Sequence, residues 1–231
     1  MMMSAMTRWR RHRGEAGLTL TELLVTMMIF GVLMAIVFGV LISLTYQSRD
    51  TLARTQTLQE ARIGLSQIDR QVRSGNVILN PAEEDESTSG VDPYYSMRIF
   101  TQEDGVAQCV QWRVIDQDED GFGDLEFRTW NPQNLLDFTD WGGVAHNLIR
   151  MDASPEDADD IDRDDPSTWP PFWVDTAGTD STVAHYVRIT LRLKDPQERE
   201  DAKPVAVTSV VTGRNTVFGY PASSCAEVPP V

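Results

Sequence analysis

Along the first part of the chain the charged positions vanish. From Leu23 to Leu44, twenty-two residues run without a charge, enough for a helix to cross a hydrocarbon core of ~30 Å at ~1.5 Å per residue. Glu22 stands at the head of this run, where a carboxylate inside a bilayer costs roughly 2.5–3.5 kcal/mol on insertion scales. Downstream the pattern turns amphipathic. Leu58, Ala61, Leu65, Ile68 and Val72 recur at alternating spacings of three and four, which gathers them on one helical face. Arg54, Glu60, Arg62, Asp69, Arg70 and Arg73 fall on the other faces. Gly31, Gly39 and Gly64 lie inside these stretches, and no proline interrupts the chain before Pro81. One continuous helix is therefore expected over residues 18–74, ending at Ser74-Gly75-Asn76 with Gly75 as its stop.

Beyond the helix the periodicity changes to two. In His185-Tyr186-Val187-Arg188-Ile189-Thr190-Leu191-Arg192-Leu193 apolar and polar side chains mostly alternate, as in a sheet with one buried face. Further strands are expected at Tyr94–Phe100, Gln108–Ile115, Leu125–Trp130, Ala145–Met151 and Pro204–Arg214, with the first of the C-terminal pair spanning Ala184–Lys194. Asp195 to Lys203 joins that pair as a hairpin turn. The class is α+β: a long N-terminal helix laid on an antiparallel sheet.

Charge then sets orientation and partners. Arg8, Arg10, Arg11 and Arg13 precede the apolar run, while the polypeptide beyond it is acidic. That asymmetry keeps the N-terminus cytoplasmic and exports the C-terminal part. The apolar run is longer than the 7–15 residues of an ordinary secretory signal core. The whole chain has 20 basic and 35 acidic residues, a net charge of -15; without residues 1–17, which hold four arginines and Glu15, 16 basic face 34 acidic residues, a net -18. Such a surface argues against nucleic acid as a partner, because phosphate backbones are bound by Lys and Arg. About 155 residues follow the helix, a length that suits one domain.

Gly17-Leu18, with Glu22 at the fifth position after the glycine and then the apolar helix, resembles the class III signal of type IV pilins and pseudopilins. The resemblance implies that a prepilin peptidase in the membrane cuts between Gly17 and Leu18 and that Leu18 becomes an N-methylated terminus. It further implies that Glu22 acts in assembly by meeting that amine on a neighbouring subunit. Glycine before the cut suits a protease that needs extended backbone. Leu18 stands where the family most often has phenylalanine, Ala16 replaces the usual basic residue, and Gly39 occupies the place of a common helix proline. The implied organisation is a cleaved cytoplasmic leader over residues 1–17, a transmembrane and filament-core helix over 18–46, its amphipathic continuation over 47–74, and an exported β-rich head over 75–231. The C-terminal strand pair and Gly213-Arg214-Asn215 resemble J-type pseudopilins and W-type minor pilins.

Two loops concentrate acid. Asp116, Asp118, Asp120 and Asp124 occupy the first, third, fifth and ninth positions of a segment with Gly121 at the sixth. This matches the first half of a calcium loop, whose alternating oxygens converge on a hard cation. The closing glutamate is missing, since Phe127 holds the twelfth position, and a solvated hairpin turn is the competing reading. Asp157 to Asp165 reads as a solvated loop. Cys109 and Cys225 suit a disulfide on the exported side, against the alternative of two separate thiols.

Catalytic patterns are missing from the sequence: it contains no G-x-S-x-G elbow, no H-E-x-x-H helix and no phosphate-binding glycine loop. His146 and His185 read as strand residues. Trp169-Pro170-Pro171-Phe172-Trp173 reads as an exposed aromatic contact surface. The expectation is a minor pilin or pseudopilin of a type IV pilus, type II secretion or competence system, not an enzyme. Its partners would be other pilins, the prepilin peptidase, an inner-membrane assembly platform and, before assembly, the bilayer. No cofactor is required, and calcium is the one candidate. The alternative is a filament-borne adhesin or ligand-binding module.

Overall fold

A computed structural model of the chain describes residues 19–151, 155, 160–174, 183–196, 198, 202–216 and 219–230. Helix α1 spans Leu20–Ser74. The chain divides into two compact units, residues 1–49 and 50–231. In the first unit the described residues form the apolar part of α1, and its large side chains from Leu20 to Leu44 are exposed. The helix is long and apolar enough to cross a membrane, and its most apolar window buries nothing against its own chain.

In the second unit α1 contributes Thr57, Ala61, Gly64, Ile68 and Val72 as its buried positions. Leu65 packs against the same core and Leu58 is half-buried, so the stripe seen in the sequence is the helix face that meets the sheet. Gly64 is part of that face because a side chain there would collide: a Cβ would lie 2.7 Å from Leu125 Cδ2. Gly75 follows the helix for a similar reason. Its φ is not left-handed, and a Cβ would sit 2.7 Å from Ile99 Cγ2. It follows the helix end at Ser74, as expected, and lets the chain pass close to the sheet.

Ten strands among the described residues make one antiparallel sheet: β1 (Val77–Leu79), β2 (Ser96–Glu103), β3 (Val106–Ile115), β4 (Phe122–Asn131), β5 (Asn134–Phe138), β6 (Gly142–Ile149), β7 (Phe172–Trp173), β8 (Val183–Ala184), β9 (Tyr186–Leu193) and β10 (Val205–Thr212). Their order is β10-β9-β6-β4-β3-β2-β1-β8, with β5 paired to β4 and β7 to β9. The α+β class is as expected. β1, β5 and β7 are additions, each too short or too polar to show a period of its own.

The sheet's two faces are chemically different. Toward α1 lie Ile99, Val110, Trp112, Val114, Leu125, Val187, Ile189 and Leu191 in one apolar cluster with Ala61, Ile68 and Val72. Trp112 stacks on Phe127 at 4.9 Å and donates its indole N–H to Gln71 of α1. The opposite face carries a row of polar residues in register, Arg98–Gln111–Arg128, beside Arg113–Glu126. All five are buried. The segment from Asn80 to Tyr95, which includes helix α2 (Glu86–Ser89), and the C-terminal tail cover them.

That polar layer is well satisfied. Glu84, 1% exposed, accepts from Arg98 Nε, Ser96 Oγ and Gln111 Nε2. Arg98 donates onward to the carbonyls of Cys225 and Ala226 at 2.9 and 3.0 Å. Arg128 donates to Gln111 Oε1, to the Thr88 carbonyl and to the Pro230 carbonyl at 2.8 Å. Burial, with the charge of Arg113 added, lowers its guanidinium pKa to about 10. Trp141 lies against both cations, 3.8 Å from Arg113 Cζ and 4.4 Å from Arg128 Cζ. Cys109 on β3 and Cys225 in the tail are joined by a disulfide, their Cα atoms 5.9 Å apart. Val77, Leu79, Phe100 and Trp130 pack around the bridge.

Two outcomes follow for stability. Cys225→Ser should lower the unfolding free energy by ~4–5 kcal/mol in the chain-entropy model, since the bridge closes a loop of 116 residues; urea unfolding of the detergent-solubilised chain with and without reductant measures it. Arg98→Met leaves the Glu84 carboxylate buried beside hydroxyl and amide donors alone, and should cost ~3–5 kcal/mol. Adding Glu84→Gln to Arg98→Met should restore part of that loss, which the same titration reads.

Candidate functional site

The assembly segment begins where the described residues begin. Gly17 and Leu18, the expected cleavage and methylation positions, lie outside them. Thr19 and Glu22 lie inside, and they form a reciprocal pair at the start of α1. Glu22 N donates to Thr19 Oγ1 at 3.3 Å, and Thr19 N donates to Glu22 Oε2 at 3.5 Å. The Thr19 hydroxyl also approaches Glu22 Oε2 at 3.4 Å. This is a capping box, in which the N-cap side chain and the third helical residue satisfy each other's backbone donors. Glu22 also complements the positive end of the helix dipole. The signal was present in the sequence as Thr19-x-x-Glu22. The carboxylate is exposed and makes no ion pair among the described residues.

The acidic β3–β4 turn brings together three of its four candidate ligands. One carboxylate oxygen from each of Asp116, Asp118 and Asp120 lies within 4.8 Å of the others. Asp124 does not join them. It lies in β4 and pairs across to His146 Nδ1 on β6 at 2.8 Å. The turn is held by its own backbone: Gly121 N donates to Asp116 Oδ2 and Phe122 N to Asp120 Oδ1. Glu119 and Gly121 take φ of 57° and 89° to close it. Asp116 Oδ1 is buried and accepts no hydrogen bond among the described residues. Three carboxylates, one of them with an unsatisfied buried oxygen, are the donor type a hard cation takes, although the bidentate closing ligand of a helix-loop-helix calcium site has no counterpart among the described residues. In the second acidic cluster residues 157–159 lie outside the described residues. Asp162 and Asp165 there accept from Asp164 N and Ser167 N; the Ser167 hydroxyl, and then its backbone N–H, lower the Asp165 pKa.

The Trp169–Trp173 segment is packed, not displayed. Phe172 and Trp173 are 0% and 2% exposed because β7 pairs with β9. Trp169 and Trp173 lie 6.0 Å apart, and the Arg188 guanidinium sits 4.0 Å from the Trp169 ring. Arg192 donates to the carbonyls of Pro166, Ser167 and Trp169. Two arginines from the outward face of β9 thus hold the segment down, and burial lowers the pKa of Arg192. An exposed aromatic contact surface is therefore corrected to a covered sheet face. Of the histidines, His146 is tied to Asp124, and His185 Nδ1 lies 3.1 Å from Thr216 Oγ1. Neither belongs to a metal-ligating group among the described residues.

A comparison with family models matches residues 12–38 to the prokaryotic N-terminal methylation motif. No curated protein and no solved structure matches the chain. The matched segment contains Gly17, Leu18 and Glu22 and runs into the apolar part of α1. With this motif at the start of a long apolar helix, and an α+β head whose sheet packs on the helix's second half, the chain carries the N-terminal feature of type IV pilin-like proteins and is similar to them in architecture.

Proposed function

We propose that the chain is a minor pilin or pseudopilin, a structural subunit of a type IV pilus, type II secretion or competence filament. In kind it stands nearest to J-type pseudopilins and W-type minor pilins. The observation that carries this reading is the union of the methylation motif at 12–38 with an apolar helix that its own chain leaves uncovered. Such a helix needs lipid before assembly and neighbouring helices after it. The leader arginines hold the N-terminus in the cytoplasm and the head is exported, where Cys109 and Cys225 can oxidise. A prepilin peptidase cuts after Gly17 and Leu18 receives the methyl group.

Glu22 then has two successive duties. In the membrane it closes the capping box with Thr19. In the filament its charge meets the methylated amine of Leu18 on the next subunit. Pairing two charges in an apolar interior is favourable only when both partners arrive together, so the contact selects the axial register. Glu22→Gln separates the duties, since the amide oxygen keeps the cap while the charge is lost. Both Glu22→Gln and Glu22→Ala should insert and be processed normally, yet be reduced about tenfold or more in sheared filaments relative to the wild type, as read by immunoblot. Normal incorporation of the Gln variant with loss of the Ala variant would assign the residue to capping alone.

A second reading rests on the orphaned Asp116 Oδ1. Asp116, Asp118 and Asp120 would hold a calcium ion that stiffens the β3–β4 turn and supports a ligand-binding role for the head. Titration calorimetry with calcium alone should then show a site that vanishes in Asp118→Asn/Asp120→Asn, and an unchanged isotherm removes the ion.

A further inference from the structure

The two ends of the sheet are unlike. At one end β8 is two residues long, the kind of short edge that resists pairing with other chains. At the other end β10 is eight residues long and runs in unbroken register against β9, from Val205↔Leu193 to Thr212↔Tyr186. Val-Ala-Val-Thr-Ser-Val-Val-Thr contains no charge and no proline, and its register shows no bulge. Proteins commonly blunt an exposed edge with one of these devices. Among the described residues β10 pairs with β9 alone.

The direction of its backbone groups can be worked out. Gly213 N donates to the carbonyl of His185, which lies directly opposite it in the continued register. Gly213 is therefore a hydrogen-bonded pair, and such pairs recur at every second residue of an antiparallel ladder. Val205, Val207, Ser209 and Val211 accordingly direct their N–H and C=O groups to β9. Ala206, Thr208, Val210 and Thr212 direct theirs away, to the open edge. The same four residues are exposed, Val210 by 54%.

Charge narrows the occupant. No Asp or Glu occurs between Asp201 and Glu227, in a chain with 35 acidic residues. Lys203 and Arg214 flank β10, are exposed, and make no ion pair with a described residue. A second copy of β10 fits poorly. Antiparallel pairing about Thr208 or Ser209 would set Lys203 of one copy within one residue of Arg214 of the other, and facing like charges oppose a pair.

We propose that β10 is a docking edge that receives an extended, uncharged segment with acidic flanks from another filament subunit, adding an eleventh strand by β-augmentation. The backbone groups of Ala206, Thr208, Val210 and Thr212 supply the ladder, and Lys203 and Arg214 set the polarity of the partner. The identity of the partner as a filament subunit rests on the reading above; the edge and its charge preference do not.

The test uses the full chain in detergent and two synthetic peptides, Asp-Asp-Val-Thr-Val-Thr-Val-Thr-Asp-Asp and its Lys-flanked counterpart. The acid-flanked peptide should bind tighter by about tenfold or more in fluorescence anisotropy, as several opposed charge pairs would give. It should also slow hydrogen exchange at the four edge amides. Thr208→Pro removes an edge N–H without touching the β9 ladder and should abolish binding. Lys203→Glu/Arg214→Glu, at two exposed positions that leave the fold intact, should reverse the preference between peptides. Equal binding of both peptides, binding that survives Thr208→Pro, or concentration-dependent self-association lost with that variant would each overturn the proposal. Absence of the wild-type chain from sheared filaments would instead remove the filament reading and leave the peptide result standing.

Discussion

The governing constraint is an apolar helix whose side chains stay exposed. From Leu23 to Leu44 the large ones are open among the described residues, and water is a poor solvent for such a surface. On the proposed reading that cover comes from outside, first as lipid and then as other helices. A helix buried by lipid gains little from leaving it for another apolar surface. On that reading something polar must favour the second state, and Glu22 is the acid at the head of the run. Its position at the first turn, already bonded to Thr19, places that carboxylate at the fixed end of the helix.

The head answers a different problem. Its sheet must be covered on both sides, and α1 covers only one. The other face is built from Arg98, Gln111, Arg113, Glu126 and Arg128, and it is closed by the 80–95 segment and the tail. Among its described residues the tail has one short 3-10 turn, Ala222–Cys225, and gives Cys225 and Val228 to the apolar cluster around the bridge. It is held by carbonyls given to Arg98 and Arg128 and by the Cys109–Cys225 bridge. Closing the loop thus depends on oxidation, and on the proposed export of the head this ties its completion to arrival outside the cytoplasm.

Much of this architecture was legible because its patterns are local. The three-and-four spacing of Leu58, Ala61, Leu65, Ile68 and Val72 named the packed face of α1, and the alternation through Val187, Ile189, Leu191 and Leu193 named the core side of β9. The outer face was not legible in the same way. Arg98, Arg128, Arg188 and Arg192 alternate with apolar residues just as solvent-facing positions do, and only the distant segments laid over them make them buried. The same blindness applies to Trp173, hidden by a two-residue strand pairing that has no period, and to Asp124, drawn from its neighbours by His146 across the sheet. Gly64 read as a glycine inside the stalk and Gly75 as its stop, whereas the space they leave is filled by Leu125 and Ile99. Thr19 with Glu22 was readable as a capping box; the charge of Glu22 drew the reading away from its hydrogen bonds.

On the proposed reading this chain is matured at its N-terminus and enters a filament through the new end. Mass spectrometry of the N-terminal peptide, from protein purified out of its native membrane, addresses it most directly. The account predicts a peptide that begins at Leu18 and carries one methyl group on its amine. A peptide that retains the leader arginines, or one cut after the apolar run, would contradict it.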